Sequence, residues 1–271
     1  MPGKKPSKRA QKYLKLLKPG EEQRSMSTLK LRLLKKLKCT LKYEKLAWAQ
    51  GAQLVAGVDE VGRGALFGPV VAAAVILKPD YRIRGLRDSK LLAPEVREVL
   101  ARRILDHSIA YAIASVDAQR IDKINIYWAS VEALALAVKN LDPTPDHVLV
   151  DALKIDVDCS QTKIIHGDAL SCSIAAASII AKVERDRWMR DFDAEYPGYG
   201  LASNKGYSTP KHKAVLRERG PSPLHRRSFA PVWMAESNAM PDLFAEIQEE
   251  LGAGGAPELE AAFSIPEAEV G

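Results

Sequence analysis

Gln53-Leu-Val-Ala-Gly-Val-Asp-Glu-Val-Gly-Arg-Gly-Ala-Leu-Phe-Gly-Pro-Val-Val-Ala-Ala-Ala-Val-Ile-Leu77 holds two apolar runs joined by a glycine-rich connection. The first run, 53–58, leads into two acids, Asp59 and Glu60, and then into the turn Val61-Gly-Arg-Gly64. The second, 69–77, is Pro69 followed by eight apolar residues, the pattern of a buried strand. The spacing predicts two strands that form a hairpin, with carboxylates at its rim. Gly62-Arg-Gly64 does not complete a dinucleotide fingerprint, because Phe67-Gly-Pro69 and a strand follow where a helix should start.

Working outward, Gly85-Leu-Arg-Asp-Ser-Lys90 reads as a loop, 94–106 as a helix with Pro94 in its first turn, and 108–116 as a strand. Apolar spacing predicts a helix over 125–139, stopped by Asp142-Pro143-Thr-Pro145, and then a strand, His147-Val-Leu-Val150, that runs directly into Asp151. A fifth strand over 161–165, a turn at Gly167-Asp168, a helix from Ser173 to about Phe192 and another over 211–220 complete the body. Residues 193–210, with Pro197, Gly198, Gly200, Gly206 and Pro210, have the profile of a structured functional loop. Together these elements predict an α/β fold with a five-stranded mixed sheet flanked by helices, not a uniform βαβ array.

The chain has 271 residues, 46% apolar and 27% charged, enough for a substantial core and inconsistent with general disorder. Its net charge of +6 is unevenly spread: residues 1–50 carry 15 Lys/Arg against 3 Asp/Glu, whereas 234–271 carry 9 acids and no basic residue. Three segments follow: a Lys-rich, partly helical extension over 1–52, a body over 53–233 with C-terminal helical elements, and an acidic tail over 234–271, mostly disordered past 250. Leucines at 29, 33, 37 and 41, after a possible cap at Thr28, predict a basic amphipathic helix reaching Gln50. A basic block on a nearly neutral body points to an anionic polymer or surface as partner. No run is long and apolar enough to span a bilayer, and Cys39, Cys159 and Cys172 fall at no metal-ligand spacing. The expectation is a cytoplasmic monomer.

The carboxylates carry the chemistry. Asp59, Glu60 and Asp151 stand where strands end, and Asp168 opens the segment after another strand. Groups just beyond the carboxyl ends of strands in an open sheet converge on one crevice, where four unpaired carboxylates repel one another. A divalent cation resolves that repulsion, and oxygen ligands without His or Cys favour Mg²⁺ or Mn²⁺ over Zn²⁺. Isolated acids at strand ends or helix caps are commonly structural, and Asp122, Asp156 and Asp158 are read that way.

Gly57-Val-Asp-Glu-Val-Gly-Arg-Gly64 with Gly68-Pro69, Asp88-Ser-Lys90, Val150-Asp-Ala152, the long run Gly167–Asp186, Asn204-Lys-Gly-Tyr-Ser-Thr209 and His225-Arg-Arg-Ser-Phe229 resemble bacterial ribonuclease HII in order and approximate spacing. The resemblance covers about residues 53–230. It implies a ribonuclease H-like fold and cleavage of RNA in RNA–DNA hybrids, with incision 5′ to ribonucleotides embedded in duplex DNA, leaving 3′-hydroxyl and 5′-phosphate ends. By the same resemblance Asp59, Glu60, Asp151 and Asp168 are the metal-binding catalytic acids. Gly62, Arg63 and Gly64 are implied to read the ribose 2′-hydroxyl, and Tyr207 to pack on the sugar. Ser89, Lys90 and Lys182 are candidates for phosphate contact or, equally, solvated surface groups. Arg226 and Arg227 could extend a basic rim or form structural ion pairs. Two competing classes are a non-catalytic nucleic-acid binder, which loss of one of the four acids would have favoured, and another phosphoryl hydrolase, for which no nucleophile or phosphate loop is visible.

Overall fold

The computed structural model describes residues 37–80 and 83–237. The Lys-rich run before residue 37 and the acidic segment after 237 lie outside the described residues.

The strands are β1 (Val55–Val61), β2 (Val70–Leu77), β3 (Ser108–Val116), β4 (His147–Asp151) and β5 (Ser160–Ile164), in the spatial order β3-β2-β1-β4-β5. β1 runs parallel to β4 and β4 parallel to β5, with Val58 opposite Val150 and Asp151 opposite Ile164. β2 is buried at every position, which is why its sequence is an unbroken apolar run. The edge strand β5 is polar and mostly exposed or half-buried, as an unpaired edge requires. The mixed five-stranded sheet flanked by helices is the architecture expected from the sequence.

The helices are α1 (Lys42–Ala49), α2 (Pro94–His107), α3 (Ala118–Lys139), α4 (Gly167–Leu170), α5 (Cys172–Glu195), α6 (Leu201–Asn204) and α7 (Pro210–Arg219); residues 230–237 are also helical. α3 starts earlier than expected and breaks at Asn125 (φ 65, ψ 166), whose Oδ1 accepts from the Tyr127 and Trp128 amides and caps the second half. The helix expected to run from Thr28 to Gln50 is helical, within the described residues, only over Lys42–Ala49. Residues 37–41 are not, because Thr40 pairs with the body: its N–H donates to Leu170 O (3.0 Å) and its O accepts from Cys172 N (3.2 Å). β1 also extends to Val61, so Asp59 and Glu60 lie inside the strand and not past its end.

The described residues fall into two compact units. In the first, up to Glu60 with Ala72–Ala114 and Leu134–Val183, α1 packs Ala47 against Val55, Leu149, Ile164 and Ile174 beneath the sheet. In the second, Val61–Val71, Ser115–Ala133 and Glu184 onward, Phe67, Met189 and Leu201 form one apolar cluster and Leu66, Leu216, Val232 and Ala235 another. Asp122 belongs here in a structural role, accepting from Arg227 N, Ser228 N and Ser228 Oγ. Among the described residues no helix is long and apolar enough to cross a membrane.

Candidate active site

The register of two parallel strands decides where the acids go. Val58 lies opposite Val150, so Asp59 and Asp151, the next residues of each strand, stand side by side at the carboxyl end of the sheet. The Asp151 Oδ1 accepts from the Gly167 N–H at 2.9 Å, which ties the end of β4 to the head of α4, where Asp168 sits buried. At Gly167 a Cβ would stand 2.5 Å from Ile174 Cδ1, so a side chain there requires Ile174 to move. Asp59 is 6% exposed and accepts from the Ser178 hydroxyl on α5. Ser178 has one proton to give, so Ser89, 2.9 Å away, donates to it and not the reverse.

The carboxyl of Asp59 is pushed well above its ordinary range by burial first, and then by the charges of Glu60, Asp168 and Asp151. Asp151 is raised by burial and by Asp168, against the opposing pull of the Gly167 N–H, Lys90 and His166. Lys90 brings positive charge into reach: its Nζ donates to Asp168 Oδ2 at 3.1 Å and lies 3.8 Å from Asp88 Oδ1. Partial burial depresses the Lys90 ammonium, but Asp168, Asp88 and Asp59 outweigh it and the net shift is upward. Lys90 by itself does not balance four carboxylates. Asp59, Glu60, Asp151 and Asp168 all offer hard oxygens, the donor set that suits Mg²⁺ or Mn²⁺. Among the described residues, no three His, Cys, Asp or Glu side chains stand close enough as arranged to enclose an ion.

Two residues beside the acids hold left-handed backbone without being glycine, Ala152 (φ 54) directly after Asp151 and His166 (φ 60) two before Asp168. Each such residue costs on the order of 1 kcal/mol and persists only where its surroundings impose it. Here Ala152 N–H donates to Ile164 O and Ala169 N–H to His166 O, which hold both turns.

In the second unit, Gly62, Arg63 and Gly64 meet Tyr207 through an antiparallel bridge between Ala65 and Tyr207, with Leu66 N–H on Gly206 O at 2.7 Å. Two fully buried arginines hold this connection from inside, through carbonyl groups. Arg185 donates to Pro69 O, Lys205 O and Phe67 O, and its guanidinium lies 5.6 Å from the Tyr207 ring centroid. Arg226 donates to Gly68 O and Arg63 O, leaving Nη2 without a partner. Burial and the neighbouring Arg185 charge pull its pKa down. Gly62 (φ 92) has no room for a side chain, as a Cβ would lie 2.3 Å from Arg185 Nε, whereas Gly64 faces open space. Behind Tyr207, His212 Nδ1–H donates to the Tyr207 carbonyl, so His212 Nε2 must accept from His225 Nε2 at 3.1 Å and His225 Nδ1 accepts from Ser222 N.

The structure therefore groups Asp59, Glu60, Asp151 and Asp168 with Lys90, and separately groups Gly62, Arg63 and Gly64 with Tyr207. Ser89 is buried with its hydroxyl committed to Ser178, which places it in support of Asp59 and not at a solvent-facing phosphate position. Lys182 is half-buried on α5, one turn beyond Ser178 and on the same face. Arg226 is buried and, among the described residues, makes no ion pair; it donates to carbonyls and lies 5.3 Å from the Phe229 ring centroid, so it is not a rim cation. Arg227 is exposed and paired with Glu236. Sequence reasoning missed Ser178 and Arg185. The partners of Ser178 are the Asp59 carboxylate and the Ser89 hydroxyl and those of Arg185 are carbonyls, most of them far away in the chain, and nothing in the local pattern of α5 marks either residue except that each interrupts or follows its Ala/Ile run.

With this geometry in place, the chain compares with known proteins as follows. The family described as Ribonuclease HII matches residues 56–232. Ribonuclease HII of Koribacter versatilis (strain Ellin345) is 68% identical over 213 residues, 79% of this chain and 84% of that protein. Ribonuclease HII of Solibacter usitatus (strain Ellin6076) is 55% identical over 197 residues, 73% of this chain and 86% of that protein. Among solved structures, the ribonuclease H2 from Pyrococcus horikoshii OT3 superposes with a TM-score of 0.62 at 28% identity, covering 69% of this chain and 98% of that one.

Proposed function

This chain belongs to the ribonuclease HII family and is a type 2 ribonuclease H, and from that premise we propose that it incises duplex DNA on the 5′ side of embedded ribonucleotides, as well as cutting the RNA of RNA–DNA hybrids, with Mg²⁺ or Mn²⁺. The observation that carries the reading is the crowding of negative charge at the carboxyl end of the sheet. Asp59 is buried there beside three further carboxylates, and Lys90 is already committed to Asp168.

Asp59, Glu60, Asp151 and Asp168 are the residues that would hold the cations. Divalent ions held there would activate an attacking water and compensate the charge that develops on the departing 3′-oxygen. The chain's own contribution is orientation. Ser178, backed by Ser89, fixes the carboxylate of Asp59, and the Gly167 N–H fixes that of Asp151. Lys90 has a largely exposed side chain and can swing from Asp168 to a phosphate oxygen, and Lys182 is a second candidate for such a contact. A polyanion cannot approach four bare carboxylates without cations between them.

Recognition of the ribose falls to Gly62, Arg63, Gly64 and Tyr207. The open space at Gly64 lets backbone atoms come close to a 2′-hydroxyl, the group that tells RNA from DNA. The half-buried Tyr207 ring offers the sugar a flat apolar face.

Three duplexes test this: an RNA–DNA hybrid, a DNA duplex with one ribonucleotide, and the same duplex in DNA alone, each with Mg²⁺ or Mn²⁺. The first two should be cut and the third left whole. An intact single-ribonucleotide duplex with both ions, or equal cutting of the all-DNA control, would overturn the proposal.

A further inference from the structure

We propose that Glu44, on α1 ahead of the family match, is a positioning residue for the acid cluster, acting through the backbone between Asp168 and α5. The proposal rests on the reading of Asp59, Glu60, Asp151 and Asp168 as the metal-holding quartet.

Glu44 is 1% exposed, on the face of α1 that also buries Ala47, while Lys42 and Lys45 point outward. Its Oε1 accepts from the Ser171 hydroxyl at 2.6 Å and from the Ser173 N–H at 2.8 Å, while Oε2 is buried without a partner. A buried carboxylate with one empty oxygen is expensive, and an apolar side chain would pack α1 on the sheet at lower cost. What the carboxylate does instead is hold the first turn of α5. The free N–H groups there carry partial positive charge, so an anion is favoured and one otherwise unpaired donor is satisfied. Ser171 in turn accepts from Ile174 N at 3.2 Å, so Glu44 orients the hydroxyl that caps the helix.

That turn is wedged against the acid-bearing strand. Gly57, two residues before Asp59, has its Cα against α5 so tightly that a Cβ would lie 2.1 Å from Ser173 C and 2.3 Å from Ile174 N. On the other side, Ser171 N–H donates to Gly167 O, and Gly167 N–H is the group that holds Asp151. A shift of the Ser171–Ser173 turn would therefore move the backbone under Asp59 and the link from Asp151 to Asp168 together. The α5 run then carries Ser178 to Asp59. The segment before α1 clasps the same place, with Thr40 paired to Leu170 and Cys172 and the Cys39 sulfur 3.6 Å from that of Cys172. The Cys39 thiol responds to both Glu44 and Asp168, after its hydrogen bond to Cys172, burial and Cys172 itself, so the two carboxylates share one neighbourhood.

The test uses the full chain with Glu44→Ala, Glu44→Gln and Ser171→Ala. Three quantities are read: Mn²⁺ affinity by calorimetry without substrate, kcat and KM on the single-ribonucleotide duplex, and the thermal midpoint. Glu44→Ala should weaken Mn²⁺ binding several-fold and lower kcat about tenfold with KM little changed. Glu44→Gln keeps a carbonyl that accepts both hydrogen bonds and should restore most of both. A purely structural Glu44 would lower only the midpoint, and Mn²⁺ affinity and kcat at the wild-type level in folded Glu44→Ala would overturn the inference. If Glu44→Ala does not fold, Ser171→Ala decides: the same shifts in smaller degree support the inference, and unchanged values overturn it. Failure of the unsubstituted chain to cut any ribonucleotide-containing duplex would instead remove the proposed function, while the Mn²⁺ isotherms would still judge Glu44.

Discussion

Asp59 pays for its position in stability. Burial and three neighbouring carboxylates raise its pKa in the folded chain, so keeping it ionised at neutral pH opposes folding. A neutral amide of the same shape would escape that cost, but it would also give up the charge that an ion needs. Asp59→Asn should therefore cut nicking at least about a hundredfold, while raising the metal-free midpoint by a few degrees, the equivalent of about 1 kcal/mol. Circular-dichroism melts in chelator alongside the nicking assay check it; a lowered midpoint would mean that the ionised carboxylate stabilises the site. His225 behaves in the opposite sense to an acid-stabilised histidine. Burial first, and then the His212 charge, push it down to about 3. Between pH 6.5 and that value the unfolded chain takes up a proton that the folded chain refuses, so stability falls as pH falls, by about 1.4 kcal/mol per unit and about 2 kcal/mol in total from pH 7 to 5. Urea unfolding at the two pH values should show that loss, reduced in His225→Asn; a loss of the same size in the variant would assign the pH dependence to other groups.

At the scale of elements, what was legible in the sequence was what depends on neighbours along the chain. β2 could be read from its unbroken apolar run because every one of its residues is buried, and Asp151 from the buried strand immediately before it. What could not be read depends on partners far along the chain. Arg185 bonds to Phe67 O and Arg226 to Gly68 O, so each looks in sequence like a surface cation. Residues 37–41 continue the leucine spacing of a helix, but the backbone groups of Thr40 are taken by Leu170 and Cys172. The connection between β1 and β2 makes the two kinds of glycine separable by experiment. Gly62→Ala forces a Cβ onto Arg185 at a positive φ and should destabilise by about 2 kcal/mol. Gly64→Ala meets open space, so its melting should stay within about 0.5 kcal/mol of the parent while cutting at a lone ribonucleotide weakens. Unchanged cutting by Gly64→Ala would remove that position from sugar recognition.

For the molecule as a whole, the charge distribution divides the labour. Residues 1–36 hold 12 Lys/Arg and 2 Asp/Glu, whereas the proposed site is acidic. A basic segment that contacts phosphates makes binding salt-dependent without touching the chemistry. Deleting 1–36, which leaves Thr40 and Glu44 in place, should flatten the dependence of duplex affinity on salt and leave kcat at saturating duplex unchanged; an unaltered slope would show that these residues do not meet the phosphates. If the four carboxylates hold cations that drive water at phosphorus, the ends left at a single ribonucleotide in duplex DNA, with Mn²⁺ and then with chelator, report it directly. The expected product is a nick on the 5′ side of the ribonucleotide with 3′-hydroxyl and 5′-phosphate ends, abolished by chelator. A nick on its 3′ side leaving a 2′,3′-cyclic phosphate, or one that persists in chelator, would contradict it.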